Sequence, residues 1–135
     1  MCNGQSSRTS QGGTIAILKP IPRVEWTPLK RDLALRIAED ASTGRTNASI
    51  DGLGAFRSRD ARVVIHRDGD LRASPHRPES EVLSQFALPS YVADGASWAL
   101  TAKLDLGVGG DGIIGRRVSL VLDDDVWGEG VIGYN

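Results

Sequence analysis

The sequence is poor in the residues that most often carry chemistry or cross-links. It holds one cysteine, Cys2, which excludes an intrachain disulfide and a zinc site built from cysteines. Its two histidines, His66 and His76, accompany no G-x-S-x-G nucleophile turn, and we interpret both as surface residues. We therefore assign no catalytic residue, no cofactor and no metal, and we expect a protein that is not an enzyme.

Aromatic residues are also scarce, at 5% of the chain, which leaves few rings to stack on nucleic-acid bases. The net charge of −1 provides no general attraction to phosphates. The formal charges of residues 55–78 sum to +3 and those of residues 94–135 to −4, which favours charge complementarity between protein surfaces over nucleic-acid binding.

No apolar run approaches the ~20 residues of a membrane-spanning helix, and no signal segment opens the chain. We expect synthesis in the cytoplasm, no membrane partner and no small-molecule ligand.

Alternation of apolar and polar residues is the strongest pattern present. From Trp98 to Leu106 every second residue is apolar, which predicts a half-buried β-strand as the centre of the protein. Sixteen glycines favour turns and tight strand connections over long helices. Six shorter segments are also predicted as strands: 48–50, 54–56, 62–67, 70–73, 118–122 and 131–134.

One segment has the pattern of a helix. Thr27 can cap it, Pro28 suits its first position, and apolar residues recur every four positions from Leu29 to Ala41. This predicts a helix over about residues 28–42, with Leu35 on its polar side and therefore available to a partner. A second, shorter helix is predicted over residues 79–86.

The N-terminal residues 1–26 are predicted to form an extended arm, followed by a single globular domain over 27–135. Residues 1–13 hold almost nothing to bury, and Pro20 and Pro22 force an extended path. The few apolar side chains of the arm suit contact with another protein surface. With Leu35, they are our candidate interaction residues: Ile15, Ile17, Leu18, Ile21 and Trp26.

Two short motifs support an alternative prediction, in which the protein binds a ligand or a metal ion. Gly107–Gly112 matches G-x-G-x-x-G, but the residues that follow have the pattern of a strand rather than the helix that a dinucleotide site needs. Asp123–Asp125 could bind a hard cation, although their spacing does not match an EF-hand loop. A hairpin loop and a solvated turn are the simpler interpretations.

The predicted fold is α+β and β-dominated, an antiparallel sheet or small sandwich of about five to seven strands with the 28–42 helix packed across one face.

Arginine outnumbers lysine thirteen to three, which is typical of GC-rich genomes. The function that we predict is a non-enzymatic structural subunit of a phage virion, in head or tail, whose partners are protein subunits of the same assembly, self or other. The alternative is a small bacterial enzyme or a ligand- or metal-binding domain that uses Gly107–Gly112 and Asp123–Asp125.

Overall fold

The protein is described by a computed structural model over residues 13–21, 32–52, 56–57, 61–69, 82–89, 91–92, 95–122 and 125–135. All regular secondary structure within these ranges is β-strand. The strands are β1 (Gly13–Pro20), β2 (Leu33–Glu39), β3 (Thr46–Asp51), β4 (Phe56–Arg57), β5 (Ala61–His66), β6 (Val82–Ala87), β7 (Tyr91–Val92), β8 (Ser97–Ala99), β9 (Arg117–Leu122) and β10 (Asp125–Tyr134).

Eight of these strands form one antiparallel sheet in the order β6-β5-β9-β10-β1-β2-β3-β8, and β4 pairs with β7 separately. The sheet curls into a half-barrel, which brings its two edge strands towards each other. The ring centroids of Phe86 on β6 and Trp98 on β8 lie 6.4 Å apart. The inner face of the curled sheet can therefore enclose a core.

The main core lies on this inner face. Strands β2 and β3 bury every second residue, as a half-buried strand should. Strand β9 contributes Val118, Leu120 and Leu122 to the same cluster, and Leu100 and Ile113 enter it from the irregular chain that links β8 to β9. Apolar burial on one continuous face is the main stabilising contribution to a sheet of this kind.

The outer face of the sheet is covered in one half and open in the other. All six residues of β9 are buried, so this part of the sheet is covered on both faces. A second, smaller apolar cluster of Val64, Val121 and Val126 lies on its outer side. The outer residues of β2 and β3 are only partly buried. The β1–β3 half therefore offers its outer face to solvent or to a partner.

The predicted helix over residues 28–42 is wrong, and the fold is all-β rather than α+β. Leu33–Glu39 is strand β2, paired with β1 on one side and β3 on the other, and residues 28–31 lie outside the described ranges. Leu33, Leu35 and Ile37 satisfy a period of two, and Leu33 and Ile37 also satisfy the helical spacing, so the local pattern does not decide. Gly44, with φ of +72°, belongs to the turn between β2 and β3 and ends no helix.

Two further predictions are corrected. Residues 82–87 form β6, so the predicted second helix over 79–86 is wrong in its described part. Of the predicted central strand from Trp98 to Leu106, only Trp98 and Ala99 lie in a strand, β8 at the sheet edge. Beyond it the chain is irregular, and the amide of Leu104 donates to Thr46 Oγ1 at 3.1 Å. Four of the six shorter predicted strands are confirmed by β3, β5, β9 and β10. Phe56 of the predicted segment 54–56 begins β4, and residues 54–55 and 70–73 lie outside the described ranges.

Candidate interaction surface

The clearest exposed apolar feature is a strip across the outer face of β2, β1 and β10. We name it the outer strip and define it by five residues: Ala34, Ile15, Ile17, Val131 and Gly133. The β1–β10 register, which pairs Ala16 with Ile132, places Ile17 opposite Val131, and the β1–β2 register pairs Ile17 with Ala34. Ile17 is 45% exposed and Val131 37% exposed. A methyl group added at Gly133 would have no heavy atom within 4 Å. The strip is therefore open.

Charged pairs border the outer strip. Lys19 Nζ lies 3.6 Å from Asp32 Oδ2, and the guanidinium of Arg36 pairs with the carboxylate of Asp51. All four side chains are substantially exposed, so each pair adds only about 0–1 kcal/mol to stability. Their effect on the surface is to leave both signs of charge, in equal number, around an apolar centre.

A buried ionic cluster lies on the same outer face, towards β9. Arg117 donates from Nη1 to Glu129 Oε2 at 2.7 Å and from Nε to Asp68 Oδ1 at 3.0 Å. Burial lowers the pKa of Arg117, but the hydrogen bonds and charges of Asp68 and Glu129 outweigh it, and the pKa is raised overall. The guanidinium therefore stays charged and ties β9 to β10 and to the end of β5.

Ser119 and His66 extend this cluster. Ser119 Oγ donates to Glu129 Oε2 at 3.2 Å and lies 2.8 Å from His66 Nε2. Which of Nε2 and the hydroxyl donates in the second contact depends on the tautomer of His66. Both side chains are fully buried, so the interpretation of His66 as a surface residue is wrong.

Hydrogen bonds within its own segment hold the Gly107–Gly112 loop. Four amides donate to acceptors of the segment 105–109: Gly107 to Asp105 Oδ1 (2.9 Å), Gly112 to Gly109 O (2.8 Å), Ile113 to Asp105 O (2.9 Å) and Ile114 to Gly107 O (3.0 Å). Arg116 fixes the loop further by donating to the carbonyls of Gly112, at 2.6 Å, and Arg67, at 2.7 Å. A phosphate cradle needs free amides at the start of a helix, and within the described chain no helix follows this loop.

The acidic motif is only partly described. Asp123 and Asp124 lie outside the described ranges, and Asp125 is exposed at the start of β10. Glu129, the fourth acid of this segment, is engaged by Arg117. Among the residues that the structure describes, no group of three or more His, Cys, Asp or Glu side chains could hold a metal ion.

The structure separates the six candidate interaction residues. Ile15 and Ile17 lie in the outer strip. Leu18 and Leu35 are 0% and 1% exposed in this chain's own core. Ile21 is partly buried and packs against the second cluster, and Trp26 lies outside the described residues.

The proposed arm is also divided. Residues 1–12 and 22–26 lie outside the described ranges. Residues 13–20 form β1, which is paired with β10 and β2 inside the sheet. This segment is therefore integral to the sheet.

The sequence analysis did not select Val131 or the buried cluster. Val131 stands beside Ile132 in an apolar run, and only the alternation of exposed and buried residues along β10 distinguishes them. Arg117 and Glu129 are charged residues at the start and in the middle of apolar strands, a weak sign of burial. Their pairing across β9 and β10 has no local signature in the sequence.

No protein-family model matches this chain, and no curated protein sequence matches it. Nor do the described residues contain a helix that is long and apolar enough to cross a membrane. Function therefore has to be argued from the surface and the buried contacts of the chain itself.

Proposed function

We propose that the protein is a non-enzymatic structural subunit of a larger assembly, with a phage particle as the favoured one, and that copies contact each other through the outer strip. One observation carries the proposal. Ile17 and Val131 lie side by side on two interior strands of the sheet and are both exposed. Exposed apolar side chains that form a continuous patch are typical of protein–protein contacts.

The energetics favour a weak contact that is repeated many times. Full burial of an isoleucine or valine side chain contributes about 1.5–3 kcal/mol, and both are already partly buried. Association of two free molecules costs an estimated 4–15 kcal/mol, so the strip alone would hold a pair only loosely. In an assembly with many contacts, each subunit is held at a high effective concentration, and weak contacts suffice.

A second copy of the chain is the partner that the charges favour. The two exposed ion pairs beside the strip, Lys19 with Asp32 and Arg36 with Asp51, are each neutral as a pair. Such a surface can face its own copy without net repulsion. The excess of arginine over lysine supports a GC-rich bacterial or phage source. We propose cytoplasmic synthesis followed by incorporation into the particle.

Sedimentation velocity over a range of protein concentrations tests the proposal. We expect wild-type protein to self-associate increasingly as its concentration rises, and Ile17→Lys to weaken this association while the circular dichroism spectrum is unchanged. Ala102→Lys is the matched control, because it adds the same charge at an exposed residue outside the strip. A wild-type monomer at every concentration, or equal effects of the two variants, would contradict the proposal.

A further inference from the structure

A cleft of about 430 Å³ opens at the end of the half-barrel where β5 ends and β6 and β9 begin. Leu83 and Ser84 of β6 form one wall, and Leu104 and Ile113, from the irregular chain between β8 and β9, lie on the other. Ile113 is buried in the main core, and Leu83 and Leu104 pack against that core. The cleft therefore has apolar walls that are held by the core. Clefts of this volume at the mouths of β-barrels are common sites for small ligands.

The charged side chains that border the cleft are two of each sign: Arg67, Lys103, Asp105 and Asp111. Two of them are engaged within the chain. Lys103 Nζ lies 3.2 Å from Glu39 Oε2, and Asp105 Oδ1 accepts from the amide of Gly107 at 2.9 Å. Among the described residues, the other two, a guanidinium and a carboxylate, have no hydrogen-bond or ion-pair partner and do not pair with each other. The cleft thus presents one available charge of each sign.

Arg116 links the two residues that carry these available charges. Its guanidinium donates to the carbonyls of Gly110 and Gly112, which flank Asp111, and to the carbonyl of Arg67. One side chain thereby ties the backbone that follows β5 to the loop that holds the carboxylate. A ligand that meets both charges needs little reordering of this backbone, and such preorganisation raises affinity.

Ser84 adds a hydroxyl group to the cleft. The β5–β6 register pairs Ser84 with Ile65, which is buried in the main core, so Ser84 lies on the inner face of the sheet. Its hydroxyl makes no hydrogen bond with any residue that the structure describes. A hydroxyl can donate or accept, so this group can bind either polar end of a ligand.

We propose that this cleft binds a small zwitterion with an aliphatic side chain, such as a free amino acid. The carboxylate of the ligand pairs with the guanidinium of Arg67, and its ammonium group pairs with the carboxylate of Asp111. Its aliphatic side chain packs on Leu83, Leu104 and Ile113. A ligand with a charge of only one sign would leave one of the two protein charges without a partner. The site is independent of the proposed function, because the outer strip lies on the opposite face of the sheet.

Nuclear magnetic resonance of the full chain, labelled with ¹⁵N and titrated with L-leucine, tests this inference. We expect saturable shifts of the amide resonances of Leu83, Ser84 and Asp111. Two analogues are the ligand controls: leucinamide lacks the carboxylate, and 4-methylpentanoate lacks the ammonium group. Each should bind about tenfold or more weakly than leucine, because each loses one hydrogen bond to a charged group. No saturable shift with millimolar leucine, or equal binding of the three ligands, would overturn the inference.

Variants of the two available charges assign their roles. Arg67→Gln should abolish the discrimination between leucine and leucinamide, and Asp111→Asn that between leucine and 4-methylpentanoate. Both side chains are exposed, and circular dichroism verifies that the variants fold. The matched control is Arg36→Gln, which removes a cation from the outer face and should leave leucine binding unchanged. Discrimination that survives in Arg67→Gln or Asp111→Asn, or an equal loss of leucine binding in Arg36→Gln, would overturn the assignment of this site.

Discussion

Arg117 and Glu129 form an ion pair inside the protein, with Nη1 of Arg117 donating to Oε2 of Glu129 at 2.7 Å. The two side chains expose only 2% and 4% of their surface. Asp68 binds the same guanidinium from the end of β5. One arginine thus joins β9 to β10 and to the residues that follow β5.

We predict that Arg117→Met destabilises the fold by about 3–5 kcal/mol, because it leaves Glu129 buried without its cation. Urea unfolding followed by tryptophan fluorescence measures the loss. The control is Arg36→Met, which breaks the exposed pair with Asp51 and should cost no more than about 1 kcal/mol. Losses of similar size in the two variants would contradict the buried pair.

Leu35 distinguishes the strand from the predicted helix. On β2 it is 1% exposed in the core, so Leu35→Ala should lower the free energy of unfolding by about 2–5 kcal/mol. Ile17→Ala, in the outer strip, should change it by about 0.5 kcal/mol or less. Chemical denaturation of both variants provides the comparison. If Leu35→Ala left the free energy of unfolding unchanged, Leu35 would lie on the surface, as the helix prediction has it.

Two glycines of β10 provide a test of strand spacing. A methyl group at Gly130 would overlap the backbone carbonyl of Ile17 on β1, whereas one at Gly133 would meet nothing. We expect Gly130→Ala to cost about 1–3 kcal/mol, since β1 and β10 must move apart. Gly133→Ala should be neutral. Thermal unfolding of the two variants measures the difference, and equal melting temperatures would rule out the close approach.

Asp40 makes a pH-dependent contribution in the turn between β2 and β3. Its carboxylate accepts from the hydroxyl and the amide of Ser42 at 2.8 and 2.9 Å, and these bonds hold the pKa of Asp40 below its ordinary value of 3.8. A depressed pKa stabilises the fold above 3.8 and loses its effect as the pH falls through the folded-state value. Asp40→Ala should therefore unfold at lower urea than wild type at neutral pH, and the difference should narrow in acid. A difference that does not change with pH would contradict this role.

Short strands such as β3 and β9 were predictable from the sequence, whereas the strictest alternation, from Trp98 to Leu106, forms a strand only at Trp98 and Ala99. In β3, β9 and the later part of β10, apolar and polar residues alternate or form short apolar runs between turns, and no competing helical spacing is present. The outward direction of Ile17 relative to Leu18 also follows from the period of two. The period of two does not show which face of the sheet is open to solvent, because this depends on the other parts of the chain that cover the sheet.

Residues 33–39 show why the rest was not predictable. Leu33, Leu35 and Ile37 fit a strand, and the spacing from Leu29 to Ala41 fits a helix, so local pattern leaves both open. Pairing with β1 and β3 on both sides decides for the strand, because backbone hydrogen bonds to two neighbours outweigh intrinsic helix propensity. After β8 the chain follows an irregular path. Leu100 and Leu104 reach the core from this path without forming a strand.

The sequence by itself determined a β-rich chain with alternating strands, glycine-rich turns, no disulfide and nearly balanced charge. Only the tertiary structure determined which side chains are neighbours and which of them are buried or exposed. It placed Ile17 beside Val131, buried Arg117 against Glu129, and brought the ring of Phe86 on β6 to 6.4 Å from that of Trp98 on β8. Each of these relationships joins residues far apart in the chain. Register between distant strands, which no local pattern encodes, brings them together.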